Sequence, residues 1–216
     1  MRWLLDPASI QGVAMRRDWY VFLIAAACVA LFVYGSIFWC LFVYRRGRHP
    51  EPAKFSGNPP LEVLYVVLPL LIVTGLFVVT MIAEVATDRA LANPDNRIAV
   101  TAFRWSWRFD YPRGITTMGT PIAPPTLYLP VGRSTEIDLR SADVTHSFWV
   151  PAFLFKRDAI PGMRNVFDLT PNRTGTYLGR CAQFCGIDHA LMTFKVTVVP
   201  DSAYGRFIAS HGARTP

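Results

Sequence analysis

Apolar and polar positions divide this chain into two unlike halves. Residues 20–44 contain no charged side chain, and residues 61–85 contain only Glu62 at one end and Glu84 at the other. Each run is 25 residues long, and at about 1.5 Å per helical residue it reaches roughly 37 Å, enough to cross a bilayer with some tilt. A secretory signal peptide accounts poorly for the first run, which is too long, lacks a small-residue cleavage site and is followed by a second run of equal length. Two such runs around a short polar connection predict a transmembrane hairpin rather than buried core helices. Beyond residue 85 the pattern changes to short alternating segments, which predict strands over 98–103, 105–111, 126–129, 134–139, 148–150, 165–169, 176–180 and 194–199. Pro112, Gly114, Pro121, Pro124, Pro125, Gly132, Pro151, Gly162, Pro171 and Gly175 punctuate them. Many short strands with no helical pattern between them predict a β-sandwich or Greek-key barrel. The expected organisation is therefore an extracytoplasmic segment 1–19, a membrane hairpin 20–85, a β domain 86–201 and a tail 202–216 with one short helical turn.

Composition agrees with a membrane-anchored domain. Of 216 residues 52% are hydrophobic and only 17% charged, which excludes a disordered chain, and four cysteines are too few for a disulfide scaffold. The connection between the apolar runs carries Arg45, Arg46, Arg48 and Lys54 against Glu51. By the positive-inside rule it lies in the cytoplasm, with both termini outside, although Arg16 and Arg17 narrow the margin. Trp19, Tyr20 and Tyr44 stand where the aqueous interfaces are expected. Pro69 reads as a tolerated kink. Glu62 has two readings, a solvated carboxylate favoured by the helix dipole or a group in proton uptake.

The candidate chemistry is concentrated in Cys181-Ala182-Gln183-Phe184-Cys185-Gly186-Ile187-Asp188-His189-Ala190-Leu191-Met192. Thiolate, imidazole and thioether form a ligand set suited to copper, because soft sulfur stabilises Cu(I) while imidazole accepts either oxidation state. The segment lies between two predicted strands, which can hold ligands still while a metal changes charge. A disulfide would leave His189 and Met192 unexplained. A zinc knuckle has no use for Met, and a single blue copper leaves one cysteine surplus. Two coppers sharing two thiolates use both cysteines and require a second histidine, which His146 supplies from 35 residues upstream. Cys28 and Cys40 fall within the first apolar run and read as small packing residues. No Cys-x-x-Cys-His is present for an attached c-type haem.

These residues resemble subunit II of a haem–copper cytochrome c oxidase along nearly the whole chain. The pieces occur in order: Leu5-Asp6-Pro7-Ala8, Leu61-Glu62-Val63, Trp105-Ser106-Trp107-Arg108-Phe109-Asp110-Tyr111, Asp143-Val144-Thr145-His146-Ser147-Phe148, Lys156-Arg157-Asp158-Ala159-Ile160-Pro161-Gly162, and the Cys181–Met192 loop. The loop is the specific signal; the others are individually weak. The resemblance implies a cupredoxin-like Greek-key barrel with a binuclear copper centre, CuA. It implies that Cys181 and Cys185 bridge the coppers, that His146 and His189 are terminal ligands, and that Met192 and the Gln183 backbone carbonyl are further ligands. It also implies electron entry from cytochrome c at Trp105 and a proton-channel mouth at Glu62. The implied partners are haem–copper catalytic subunit I, subunit III and membrane lipid, in the cytoplasmic membrane of a bacterium, with no nucleic acid. The implied function is transfer of electrons to haem for reduction of oxygen to water with proton translocation.

Two departures matter. Gln183 stands where many family members place a Glu on a magnesium or manganese ion, and a neutral amide does not carry that ion over. Tyr65 and Val66 stand where the family commonly shows Trp-Thr. A nitric oxide reductase subunit with the same copper centre, or a membrane-anchored copper-delivery protein, are the alternative functions. Trp105 and Trp107 are two apart, so a continuous strand would point both to one face; the resemblance favours an exposed Trp105. From residue 86 onward, 15 basic and 10 acidic residues leave a net charge of +5. That balance points to a neutral or acidic donor, such as a membrane-held cytochrome, rather than a basic soluble one. A local acidic patch at Asp110 and Asp143, opposed by Arg104, Arg108 and Arg113, is the alternative.

Overall fold

The computed structural model describes residues 6–45, 57–88 and 91–211. Most of the basic hairpin connection, Arg46, Arg48, Glu51 and Lys54, lies outside them. So does Leu5 of the N-terminal motif.

Two long helices come first: α1, Ile10–Val43, and α2, Pro59–Asp88. Both are long and apolar enough to cross a bilayer, and they expose apolar side chains along their length. Helix α1 begins ten residues before its uncharged run. The cause lies at its N-terminus, where the Ser9 hydroxyl accepts a hydrogen bond from the Gly12 N–H and donates to the Phe153 carbonyl, each 2.9 Å. Ser9 is thus a helix N-cap tied into the β domain. Around it the Ala8 N–H donates to Ala152 (2.8 Å), and the Gln11 amide both donates to the Asp168 carbonyl and accepts from the Thr170 N–H. A Cβ at Gly12 would stand 2.4 Å from the Phe153 carbonyl oxygen, so only glycine permits this approach. Residues up to Arg16 accordingly form one compact unit with the chain from Val85 onward, and residues 17–84 form the other.

Among the described residues the β domain holds ten strands: β1 Asn96–Phe103, β2 Ser106–Asp110, β3 Thr116–Met118, β4 Thr126–Pro130, β5 Thr135–Ser141, β6 His146–Val150, β7 Phe155–Ala159, β8 Asn165–Leu169, β9 Gly175–Cys181 and β10 Thr193–Val199. They form two five-stranded sheets, ordered β3-β2-β1-β5-β8 and β4-β10-β9-β6-β7. The β1–β5 and β4–β10 pairs are parallel and the remaining pairs antiparallel. This is the expected all-β domain. Its core is aromatic: the Phe148 and Phe194 rings stack at 4.8 Å, and Trp107 lies against Phe194 at 5.1 Å.

Three expectations need correction. Strands β3 and β7 carry no apolar alternation, because Thr-Thr-Met and Phe-Lys-Arg-Asp-Ala are edge strands with one unpaired side. The tail forms helix α3, Asp201–His211, nearly three turns long; Tyr204 is buried and the Phe207 ring packs at 4.6 Å from Tyr128. Finally, no strand runs through Trp105. Arg104 and Trp105 form the turn between β1 and β2, so Trp107 is wholly buried while Trp105 is half-buried elsewhere.

Candidate metal centre

The candidate ligands come from three places that strand pairing brings together. His146 is the first residue of β6, paired with Ala159 of β7. Cys181 ends β9, paired with Phe148 of β6. Cys185, His189 and Met192 sit on the loop between β9 and β10, which turns through a short 3-10 helix at His189–Leu191. Two backbone bonds tie the neck of that loop: the Cys181 N–H donates to the Met192 carbonyl (2.9 Å) and the Ala182 N–H to Ser147 (3.0 Å).

The donor atoms converge. The Cys181 and Cys185 sulfurs lie 3.9 Å apart. That separation excludes a disulfide, whose S–S bond is about 2.05 Å. Two thiolates on one tetrahedral metal, with metal–sulfur bonds of about 2.3 Å, stand roughly 3.8 Å apart. The His146 Nδ1 lies 3.8 Å from the Cys181 sulfur, and the His189 Nδ1 lies 3.5 Å from the Cys185 sulfur. The Met192 sulfur is 3.7 Å from Cys185, and the Gln183 backbone oxygen is 3.2 Å from Cys181. His146, Cys181 and Cys185 hold their ligand atoms within 4.8 Å of one another, a cluster that does not include His189. The two imidazoles thus approach the sulfur pair separately, His146 within reach of both sulfurs and His189 beside Cys185. His146, Cys181, Cys185 and Met192 are buried, whereas His189 is only partly so.

Electrostatics prepare the pair for a cation. Burial pushes both thiols up. At Cys181, hydrogen bonding to His146, to the backbone at Ser147 and Gln183 and to Cys185 outweighs burial and lowers the pKa. At Cys185, burial and the neighbouring Cys181 sulfur act together and raise it. One sulfur thus loses its proton readily, and the second proton leaves when a metal enters. Burial also opposes charge on His146, but the bonds to Cys181 and Asp143 outweigh it and raise its pKa.

Asp143 is a residue whose role sequence reasoning missed. Its carboxylate lies 2.8 Å from the His146 Nε2 and accepts from the Arg104 and Val144 N–H groups at 2.7 and 2.6 Å. Burial raises its pKa, yet these bonds outweigh burial and hold it down at about 2. With Nε2–H donated to a carboxylate, Nδ1 is the free lone pair facing sulfur, an outer-shell arrangement that fixes tautomer and ring orientation. The only signal in the sequence was the three-residue offset from His146. Gly186 was also missed. Its φ of +124° favours glycine, and a would-be Cβ would crowd the Trp105 Nε1 at 3.0 Å.

Trp105 lies over this loop and donates its indole N–H to the Cys185 carbonyl at 3.2 Å. Glu62 belongs to the other unit. There its carboxylate accepts from the Asn58 N–H (3.1 Å) while the Asn58 side chain accepts from the Leu61 N–H (3.4 Å), a reciprocal cap at the start of α2. The side chain of Gln183 is exposed.

Comparison with known proteins adds four findings. Residues 123–199 match the family model described as cytochrome c oxidase subunit II, periplasmic domain. A probable cytochrome c oxidase subunit 2 of Streptomyces avermitilis is 36% identical over 239 residues, spanning 92% of this chain and 75% of that one. The cytochrome c oxidase subunit 2 of Mycobacterium bovis is 30% identical over 254 residues, spanning 89% and 70%. Among solved structures, the periplasmic domain of subunit II of cytochrome oxidase of Bradyrhizobium japonicum superposes with a TM-score of 0.51 at 28% identity, covering 56% of this chain and 96% of that domain.

Proposed function

Because this chain belongs to the cytochrome c oxidase subunit II family, we propose that it is the electron-entry subunit of a haem–copper respiratory oxidase. One observation carries the reading: His189, whose Nδ1 lies 3.5 Å from the Cys185 sulfur, falls outside the 4.8 Å cluster of His146, Cys181 and Cys185. On a single tetrahedral ion all the donors would stand within about 4 Å of one another, so this spread fits two ions better than one. The donor set of two thiolates, two imidazoles, a thioether and a carbonyl fits copper by softness. When bound, such a copper pair supplies one-electron chemistry, accepting from cytochrome c and donating to haem of the catalytic subunit, where oxygen and protons become water as protons cross the membrane.

The chain's own residues do the rest. Cys181, Cys185, His146 and His189 would hold the coppers, and Met192 with the Gln183 carbonyl would add weaker donors. Asp143 holds the His146 ring in one tautomer. The tied loop neck keeps the donors still between oxidation states, so little rearrangement accompanies each electron. Trp105 connects the surface to Cys185 through one hydrogen bond and serves as the entry point. The helices anchor residues 20–85 in a bacterial cytoplasmic membrane, with the β domain of residues 86–201 outside it, beside subunits I and III. The proposal does not extend to a magnesium or manganese ion, because Gln183 presents a neutral amide.

Copper loading of the full chain tests this reading. Two coppers per chain and a purple, valence-delocalised spectrum are expected, and Cys181→Ser or Cys185→Ser each abolishes it. A colourless protein that takes up zinc alone overturns the reading. For Glu62, placed at the mouth of a proton channel by resemblance, Glu62→Gln separates two roles. The amide oxygen keeps the cap on Asn58 but cannot carry a proton, so turnover of the assembled oxidase falls while α2 keeps its helicity. Unchanged turnover leaves Glu62 as a cap.

A further inference from the structure

The register of the β3-β2-β1-β5-β8 sheet sorts its charged residues into two tiers. Thr101 of β1 is paired with Arg108 of β2 on one side and Arg140 of β5 on the other. Two residues back, Ala99 is paired with Asp110 and Asp138. Directly paired residues share a face, and their neighbours Val100, Phe109 and Leu139 are buried, so both tiers point outward. Strand β1 runs towards the turn holding Trp105, β5 runs towards the loop holding His146, and β2 runs away from that turn. The arginine tier is therefore the nearer to the metal end, by two residues or about 6.6 Å. Arg104 adds a guanidinium in the Trp105 turn itself, and Arg164 adds one just before β8.

The carboxylates of the aspartate tier and of the loop after β5 are already matched; Asp158 of β7 and Asp188 of the metal loop belong to the other sheet and its connection. Asp110 pairs with Arg108 (2.8 Å), Asp138 with both Arg140 (2.8 Å) and Arg164 (2.9 Å), and Asp143 with Arg104 (3.3 Å) and His146. The acidic patch considered at Asp110 and Asp143 is thus neutralised, and four arginines face three aspartates with the cations in front. Exposed ion pairs are worth about 0–1 kcal/mol, so these arginines can turn to an incoming carboxylate at small cost. The tier spacing is comparable to the Debye length of about 8 Å at physiological salt, so an approaching partner meets the front tier incompletely screened.

We infer that this face, centred on Trp105 and fronted by Arg104, Arg108 and Arg140, docks an electron-donor cytochrome whose contact surface is acidic. The inference rests on the electron-entry reading for the partner's role, but the charge preference stands on register and ion pairing alone.

The test is binding to the full chain in nanodiscs of uncharged lipid, using two probes: a lysine-rich cytochrome c and the same cytochrome with its lysines succinylated. At low salt the succinylated form should bind at least about tenfold more tightly, and the preference should shrink as salt rises towards about 0.2 M. Arg104→Gln, Arg108→Gln and Arg140→Gln together should abolish the preference, and the single variants, each of an exposed residue, should reduce it stepwise with the fold kept. Tighter binding of the lysine-rich form, equal binding of both, binding of neither, or a preference untouched by the arginine variants overturns the inference. Binding needs no metal, so the two failures separate: a missing copper chromophore counts against electron entry, while the wrong charge preference counts against this docking face.

Discussion

The two halves of the metal centre are built differently. His146 and Cys181 belong to strands whose register with β6, β7 and β9 sets their positions, and His146 is wholly buried against Asp143 with the Trp107 ring at 6.4 Å. Cys185, His189 and Met192 ride on one loop, where His189 is partly exposed and rests edge-on against the exposed Phe184 at 5.8 Å. The strand half is part of the core; of the loop donors Cys185 and Met192 also reach into it, and only His189 stands apart. The loop half is held by its neck and by a few local bonds, such as that from the His189 N–H to the Gly186 carbonyl at 3.2 Å. In the proposed centre the strands and Cys185 would fix where the metals sit, and His189 and Met192 would adjust how they behave.

Substitution of each histidine gives the largest contrast. His146→Ala should remove the copper spectrum and also lower the stability of the metal-free chain by roughly 1–3 kcal/mol, because Asp143 loses a buried partner. His189→Ala should alter the spectrum while leaving the metal-free melting temperature nearly unchanged, as for an ordinary surface change of about 0.5 kcal/mol or less. Equal losses of stability in thermal melts of the two apo variants would erase the distinction. Gly186→Ala comes next. Its positive φ should cost about 1–3 kcal/mol, and the new methyl group must displace the Trp105 indole, so tryptophan fluorescence should shift with it. An unchanged emission spectrum would show that the loop does not depend on Trp105 as a cover. The smallest effect is expected from Met192→Leu, a swap of similar volume that should cost less than about 1.5 kcal/mol. Both coppers should remain while the reduction potential moves, as potentiometry of the loaded chain can read. Loss of a copper would instead make Met192 a structural ligand.

How far each half could be read from sequence follows the same division. Four candidate donors of the loop region lie within twelve residues, and their spacing marks them without any knowledge of the fold. His146 could be nominated only by its chemistry, since 35 residues separate it from Cys181 and the β6–β9 pairing brings them together. Asp143 had no chemical reason to stand out until His146 was seen to be buried and in need of a partner. Trp105 and Trp107 looked equivalent because alternation assumes a continuous strand, and a turn at Arg104 and Trp105 breaks that assumption.

By itself the sequence determined the two apolar helices, because their length and lack of charge leave a bilayer as the economical solvent. It also determined an all-β domain and a copper-like ligand set, since alternation and close spacing are local properties. Only the tertiary structure decided that α1 begins at Ile10, because Ser9 and Gly12 act through contacts with Phe153, 144 residues from Ser9 along the chain. It alone brought two separate imidazoles to the sulfur pair and put the arginines ahead of the aspartates. Those arrangements depend on strand register, which many weak long-range contacts settle together and no short stretch of sequence encodes.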